Sequence, residues 1–584
     1  MALDGFWTKS HQPAVILIAL FVATSSAPAV AQGLAATDPY TDATIEAVRI
    51  VITNPATDPG VDARVEDSVR RQLELFPGAR FSPDRIQFLL AQARRVPDVA
   101  DISYDLSFGS RGGLDLTINV TLADAAQTRR ERGILLTGKG SDAPVLYDRN
   151  GTFLRFRLDG LALTYANNNA WYGRPDAMLA GNPLVVGKPS GKGYQQWVEG
   201  YVQYGLSGIT PLTSNLYAYG SFNVITSVSA GRELFTDKTR AHTGVEDAYV
   251  GLVGGKTTAS GDRQSFNIAV GRQRYTLANG FLIVNTAANG ESRAALQANA
   301  RWAADMLVLG QFRHNTTKLE LFYLDPDELP KIDTRSRFVG VNLEFRPLIG
   351  LDVGVSYVGV PRSSFAYYGP DGSQIGTRKG LQIYDARFNY TLNPAGQAGP
   401  FFGAEYAIQR NSHFKMDARA GWVEVGYSFP QVTWSPTVSY RLARFSGDDP
   451  DTATYERWDQ TLSGGTGEQW VQGASHFKVV QDSNVIAHRI QARFRPGPKY
   501  EIVPQFWVFR ADSKTNIGGN PALSVLSSKT YGYEFNVTGK WFVSRNTYVH
   551  GHIAYTIPGP AARAALDYNA DHWLSAMLFV RYAF

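Results

Sequence analysis

Arginines recur at every second residue in short apolar runs, a pattern suited to holding anions rather than to covalent catalysis. In residues 154–158, Leu154, Phe156 and Leu158 alternate with Arg155 and Arg157. Val339, Val341, Leu343 and Phe345 alternate with Asn342, Glu344 and Arg346, and Val438, Tyr440 and Leu442 with Ser439 and Arg441. Ile490, Ala492 and Phe494 are interleaved with Arg489, Gln491, Arg493 and Arg495. Tyr533, Phe535 and Val537 oppose Glu534, Asn536 and Lys540, and Glu424 interrupts an apolar series from Val423 to Phe429. By the same parity Arg387 joins the polar side, as do Glu199, Glu320, Glu344, Glu424 and Glu534. A rigid guanidinium fork matches carboxylate and phosphate, so this side of the pattern suits anionic solutes; the glutamates can neutralise part of it and brace the wall. No catalytic constellation accompanies the arginines. The nine histidines show no H-E-x-x-H spacing, there is no G-x-S-x-G, no phosphate loop and no cysteine. No cofactor is expected. Asp448, Asp449 and Asp451 offer oxygen ligands of the kind calcium takes, and the sequence leaves open whether they are a site or a solvated loop.

Elements that alternate in this way are strands, because successive strand residues face opposite sides. Many such strands, all with arginine on the polar side, require a water-filled interior and an apolar exterior. Turning the arginines toward lipid would cost about 2–4 kcal/mol each at the midplane. The expected fold is therefore an all-β transmembrane antiparallel barrel. Its signature escapes a hydropathy scan, in keeping with a mean hydropathy of −0.20. Twenty-nine Tyr, 31 Phe and 11 Trp suit aromatic girdles, and 56 Gly suit many turns. The net charge of +5 is too small for this length to indicate nucleic-acid binding. One segment breaks parity: Arg272 and Arg274 fall on the side of Phe266, Ile268 and Val270, so either a bulge lies near Gly271 or the strand has already left the membrane.

Ahead of the barrel the texture differs. Residues 13–23 are an apolar core after Lys9, and Ala29-Val30-Ala31 is an A-x-A site, so residues 1–31 read as a cleaved signal peptide. Residues 32–44 form a linker. Residues 45–124 then read as a small α+β unit in the order β-α-α-β-β. It has a β-branched strand from Ile45, a helix with Val61, Val65, Val69 and Leu73, and a second helix capped by Ser82 and Pro83 that carries Ile86, Leu89 and Leu90. A hairpin across residues 109–113 follows. This unit resembles a polypeptide-transport-associated (POTRA) domain in its opening strand, in G-A-R-F-S at 78–82, in R-V-P-D-V-A-D-I-S-Y before the hairpin and in the closing L-D-L-T-I-N-V. The resemblance implies a periplasmic location and a protein partner docked by strand addition. Residues 125–145 are a second linker, and 146–584 are the barrel.

The end of the chain alternates through Leu574, Ala576, Leu578, Val580 and Tyr582 to Phe584. It resembles the last strand of outer-membrane proteins, whose final aromatic is read by the barrel assembly machinery. At roughly 25 residues per strand and loop, the region holds about 18 strands, an even number as bacterial single-chain barrels require. Three stretches resemble the alginate-export family of outer-membrane barrels: G-R-Q-R-Y-T-L-A-N-G-F-L-I-V-N at 271–285 with K-L-E-L-F-Y-L at 318–324, Y-R-L-A-R-F-S-G-D-D-P at 440–450, and Y-E-R-W-D-Q-T-L-S-G-G at 455–465. The resemblance implies an arginine-lined lumen that conducts an acidic polysaccharide or small anions, and it places Arg272, Arg274, Arg441 and Arg444 in matching motifs. The small domain departs from that family and points to the alternative, a polypeptide translocator of the two-partner-secretion or insertase type. Such barrels carry an R-G-[FY] motif in a lumenal loop, and this chain has none.

Overall fold

The computed structural model describes residues 43–122 and 145–583, apart from 171–192 and shorter stretches such as 82–85, 232–237, 465–472 and 516–524. The signal-peptide segment, both linkers as units, the Ser82–Pro83 cap and Phe584 lie outside the described residues.

Eighteen antiparallel strands close into a barrel, each paired with its neighbour in sequence. The first, Thr152–Asn168, closes against the last, Trp573–Ala583, in an unbroken register from Leu574↔Asn168 to Ala583↔Asp159. Closure leaves no unpaired sheet edge in lipid. The alternation read from sequence sets the two faces. Val423, Val438, Ile490, Phe535 and Val580 are exposed on the outside, while Asn342, Ser439, Arg489 and Glu534 are buried within. Val580 and Tyr582 both face outward on the closing strand.

The two ends of the barrel differ. Strand pairs at one end are joined by tight turns, such as Ile349–Gly350, where Gly350 has a φ of +85° that a side chain would strain. Connections at the other end are long. In outer-membrane barrels the short turns face the periplasm and the longer loops the exterior. Two long-loop stretches, 273–305 and 446–464 with 473–475 and 480–484, turn back into the barrel and bury Phe281, Ile283, Leu296, Trp458 and Val480. They meet each other at Ile283↔Leu462. Irregular backbone at membrane depth is tolerated where it is enclosed by protein in this way. No helix among the described residues is long and apolar enough to cross a membrane.

The small domain is a three-stranded sheet with Leu114–Leu122 in the centre, parallel to Ile45–Ile52 and antiparallel to Val99–Phe108. The helix Pro59–Leu73 buries Val65, Val69 and Leu73, four residues apart and so on one face. Ile86, Leu89, Leu90 and Ala93 are helical and buried in the same core. The domain touches the short-turn end of the barrel. Phe108 donates its N–H to the Pro498 carbonyl (3.3 Å), and its ring lies 4.2 Å from that of Phe542.

Candidate functional site: the charged lumen

Parity puts Arg155, Arg157, Arg346, Arg387, Arg441, Arg489, Arg493 and Arg495 on the inner wall, where their surroundings divide them into two kinds. Arg387 is fully engaged, donating to Asp385 (2.7 Å), Ser356 (2.7 Å) and Glu344 (3.1 Å) and also to Asn342. Arg346 pairs with Asp352 at 2.8 Å. Both brace neighbouring strands. Arg155 donates to Ser207 (3.1 Å), and Arg157 lies 3.5 Å from Asp247.

The other four form a column on two adjacent strands, Thr437–Phe445 and Val485–Gly497. Arg441 and Arg489 are direct cross-strand partners. Their guanidinium carbons stand 5.5 and 5.8 Å from the ring of Trp507 on the next strand, Tyr500–Arg510. That distance allows both to be held over an aromatic face. Arg489 pairs with Glu424 at 2.6 Å. Toward the short-turn end, Glu501 collects Arg493 (3.8 Å), Arg495 (3.2 Å) and Lys540 (3.1 Å). Glu424 and Glu501 thus pair with three of these guanidiniums and the ammonium, while Asp482 acts on Arg441 and Glu46 on Arg495 at longer range. Among the described residues, Arg489 Nε and both terminal nitrogens of Arg495 are buried without a hydrogen-bond partner.

The inward glutamates do something that sequence reading missed. Glu199 Oε2 accepts the backbone N–H groups of Gln297 and Ala298, both at 2.7 Å. Glu534 accepts those of Ala474 (2.5 Å) and Ser475 (2.9 Å). Glu320 accepts the Tyr275 hydroxyl at 2.8 Å. Glu246, the extra residue at a bulge opposite Asn223 and Val224, accepts the N–H groups of Trp302 (2.6 Å) and Ala303 (2.8 Å). Glu199, Glu534 and Glu246 thus anchor the inward-folded stretches by taking up backbone donors that have no strand partner, and Glu320 does so through a side-chain hydroxyl. Of the glutamates read as inward, Glu344 and Glu424 pair with arginines of the wall.

Three arginines placed by family motif sit elsewhere. Arg272 ends its strand, Arg263–Arg272, with no register shift beside Gly271, so the strand stops there and no bulge is involved. Its guanidinium binds Asp327, Asp305 (2.8 Å) and the Val245 carbonyl (2.9 Å) at the long-loop rim. Arg274 follows in the inward stretch, stacked 4.3 Å from the centre of Trp302. Arg444 is a correction: three residues from Arg441, it has the opposite parity and faces outward, pairing with Asp512 at 2.7 Å. Asp448 and Asp449 turn their carboxylates to the backbone N–H groups of Glu456 (2.8 Å) and Asp451 (3.0 Å). Among the described residues no cluster of His, Asp and Glu could hold a metal ion.

Two further charge centres lock the inward stretches. Asp327 gathers Arg272, Arg293 (2.8 Å) and Arg301 (3.1 Å). Burial pushes its carboxyl up, but the guanidiniums of Arg293, Arg272 and Arg301 outweigh that and hold it below the usual range. Asp459 is bound by Arg378 (2.7 Å) and the Tyr367 hydroxyl (2.5 Å), and its carboxyl is likewise held down against burial, chiefly by Arg378. Arg293, Arg301 and Asp327 lie in segments without periodicity, which carried no sequence signal. Glu501 and Trp507 follow the parity of the strand beginning at Tyr500 and were legible there.

The sequence profile for alginate export matches residues 227–574. No curated protein matches the chain. Among solved structures, the outer membrane protein OprD of Pseudomonas aeruginosa is 11% identical, with 74% of this chain and 93% of that one covered and a TM-score of 0.43. OccK1 (OpdK) of the same organism is 10% identical over 74% and 98% of the two chains, with a TM-score of 0.44. Pseudomonas putida OprB is 10% identical over 74% and 94%, with a TM-score of 0.36.

Proposed function

The chain belongs to the alginate export family, and we propose that its outer-membrane channel is anion-selective, conducting small organic anions or an acidic polysaccharide. The observation that carries this reading is the guanidinium column of Arg441, Arg489, Arg493 and Arg495, in which Arg489 pairs with Glu424 while Arg493 and Arg495 share Glu501. In a confined, low-dielectric pore a local surplus of fixed positive charge lowers the barrier for anions and raises it for cations, whatever the net charge of the whole chain. Trp507, 2% exposed and parallel to Phe509 at an interplanar angle of 7°, is a packed platform that helps hold Arg441 and Arg489 in place.

The remaining parts follow from this. Residues 1–31 would direct export and be removed, Phe584 would present the closing strand to the assembly machinery, and residues 45–124 would stand in the periplasm as a docking module for a protein partner. A position beside the short-turn mouth, through Phe108 and Pro498, is also what a polypeptide translocator requires, so that second reading is kept.

The test is the reversal potential of the full-length protein in a planar bilayer across a potassium chloride gradient. Wild type should prefer chloride, and the combined change Arg489→Gln, Arg493→Gln and Arg495→Gln should reduce the preference while heat-modifiable migration reports an intact barrel. A cation-preferring pore, or one indifferent to the triple change, would leave the arginines as wall braces and favour translocation.

A further inference from the structure

The barrel wall is not of one height. The strand Arg240–Thr257 pairs along nearly its whole length with Leu216–Gly231 on one side, from Ser229↔Arg240 to Leu216↔Gly254. On its other side pairing starts only at Ala248↔Arg272. Residues 240–247 therefore stand above a neighbour that has ended, and the next strands, Met306–His314 and Thr317–Asp325, are equally short. The result is a notch in the wall at the long-loop end.

Side chains rather than backbone repair part of the unpaired edge. The Val245 carbonyl accepts from Arg272 Nε and from Arg301 Nη2, both at 2.9 Å. Gly244 makes room for this, since a Cβ there would lie 2.8 Å from Arg301 Nη1. What is left is a cavity of about 450 Å³ lined by Thr243, Gly244, Arg272, Arg293, Arg301 and Asp305 among others. Three guanidiniums converge on its inner wall around Asp327. Arg301, 5% exposed, has a buried Nε with no hydrogen-bond partner among the described residues, 3.7 Å from Glu246 Oε2, whose sister oxygen is already engaged by two backbone N–H groups. Asp305 is bound only through one Arg272 nitrogen among the contacts named and is 62% exposed, so an incoming oxyanion can displace it.

Height and direction identify the source of that oxyanion. The outward apolar belt runs up the neighbouring strands through Ile268, Val270, Val308 and Met306, all exposed, and stops one or two residues below Arg272 and beside Asp305. The cavity thus lies where the hydrocarbon gives way to headgroups. Its outer lip is formed by Thr243 and Val245, which are exposed on the lipid-facing side.

We propose that this notch is a binding site for the phosphate of an outer-leaflet lipid headgroup. The forked guanidiniums of Arg272 and Arg301 grip the phosphate oxygens, Asp305 swings out to solvent, and the acyl chains lie down the belt below Val270. The site is separate from the lumenal column and does not depend on what the channel conducts.

The experiment uses the full-length protein reconstituted in phosphatidylcholine vesicles doped with a diphosphorylated glucosamine glycolipid or with its dephosphorylated form. Re-extracted protein is weighed by native mass spectrometry. One phosphorylated glycolipid per chain should be retained and the dephosphorylated form lost. Arg272→Gln removes one fork, and Thr243→Trp fills the outer lip without touching any arginine. Each should lower retention about tenfold, the equivalent of one charge-assisted contact. Thr243→Trp carries the test by itself should Arg272→Gln fail to show heat-modifiable migration. Equal retention of the dephosphorylated lipid, or wild-type retention by both folded variants, overturns the proposal. Binding of inorganic phosphate without retention of the glycolipid overturns it as well, leaving a site for free anions.

Discussion

Asp327→Asn is the change that most directly tests how the inward stretches are held. The Asp327 carboxylate is 11% exposed and accepts from Arg272, from Arg293 at 2.8 Å and from Arg301 at 3.1 Å. Asparagine keeps one oxygen and the shape but removes the charge. Three guanidiniums, themselves 13%, 10% and 5% exposed, would then face one another without the carboxylate they share. Breaking a buried pair by removing one partner costs about 3–5 kcal/mol, and the retained acceptor favours the lower end. A loss of about 3 kcal/mol raises the population of the released loop roughly a hundredfold. The eighteen-stranded wall does not depend on this contact, so the effect is local. Single-channel recording should show frequent current steps in the variant and a quiet trace in wild type, and trypsin should reach Arg293 only in the variant. The sign of the pH dependence follows from the same site. The Asp327 carboxyl is held below its ordinary value of 3.8 in the folded protein, so its contribution is complete above that value and is lost as pH falls through the lower, folded one. Wild type taken well below pH 3.8 should acquire the current steps of the variant. A quiet, trypsin-resistant Asp327→Asn channel would refute the argument that these ion pairs hold the stretch in place.

Glu501→Gln should increase chloride preference, because it releases Arg493, Arg495 and Lys540 from their shared carboxylate, and should lower the temperature at which heat-modifiable migration is lost. Arg444→Gln should leave the reversal potential unchanged, since Arg444 faces outward, but should lower thermal resistance slightly, because its two-point partner Asp512 is only 13% exposed. Removal of Phe584 should lower the yield of folded barrel in the outer membrane, measured as the heat-modifiable fraction, because the closing strand Trp573–Ala583 would lose its terminal aromatic.

What could be read from sequence was whatever obeys a period. The faces assigned from Val341, Val438, Ile490 and Phe535 match their exposure, because a strand that slipped by one residue would turn every arginine into lipid. The same rule, applied consistently, excludes Arg444 once Arg441 faces the lumen; carrying it over by motif similarity overrode the parity argument. The wall also carries acids beyond the glutamates read from parity: Asp385 shares its strand and side with Arg387, and Glu405 and Glu501 face inward as well. Residues 273–305 have no period, and their course is decided by contacts distant in sequence, such as Gln297 to Glu199 and Ile283 to Leu462. No local pattern could announce that Arg293 and Arg301 would meet at Asp327. In the small domain the four-residue spacing of Val65, Val69 and Leu73 was legible for the ordinary reason that it is a helix with one buried face.

The two halves of the lumen solve one physical problem in opposite ways. A loop folded into a barrel brings backbone N–H groups that no strand can pair, and each must be satisfied. Carboxylates are the efficient answer, because one ionised oxygen can accept two such donors, as Glu199 does from Gln297 and Ala298. That is why glutamates gather on the wall behind the inward stretches, with Glu246 repeating the arrangement at Trp302 and Ala303 and Glu534 using one oxygen each for Ala474 and Ser475. Toward the short turns no stretch folds inward against Arg493, Arg495 and Lys540 among the described residues, and there Glu501 is shared three ways. The small domain also brings Glu46 to act on Arg495 at this end. A change that relocates one wall carboxylate must therefore alter either how an inward stretch is held or which arginines stay paired.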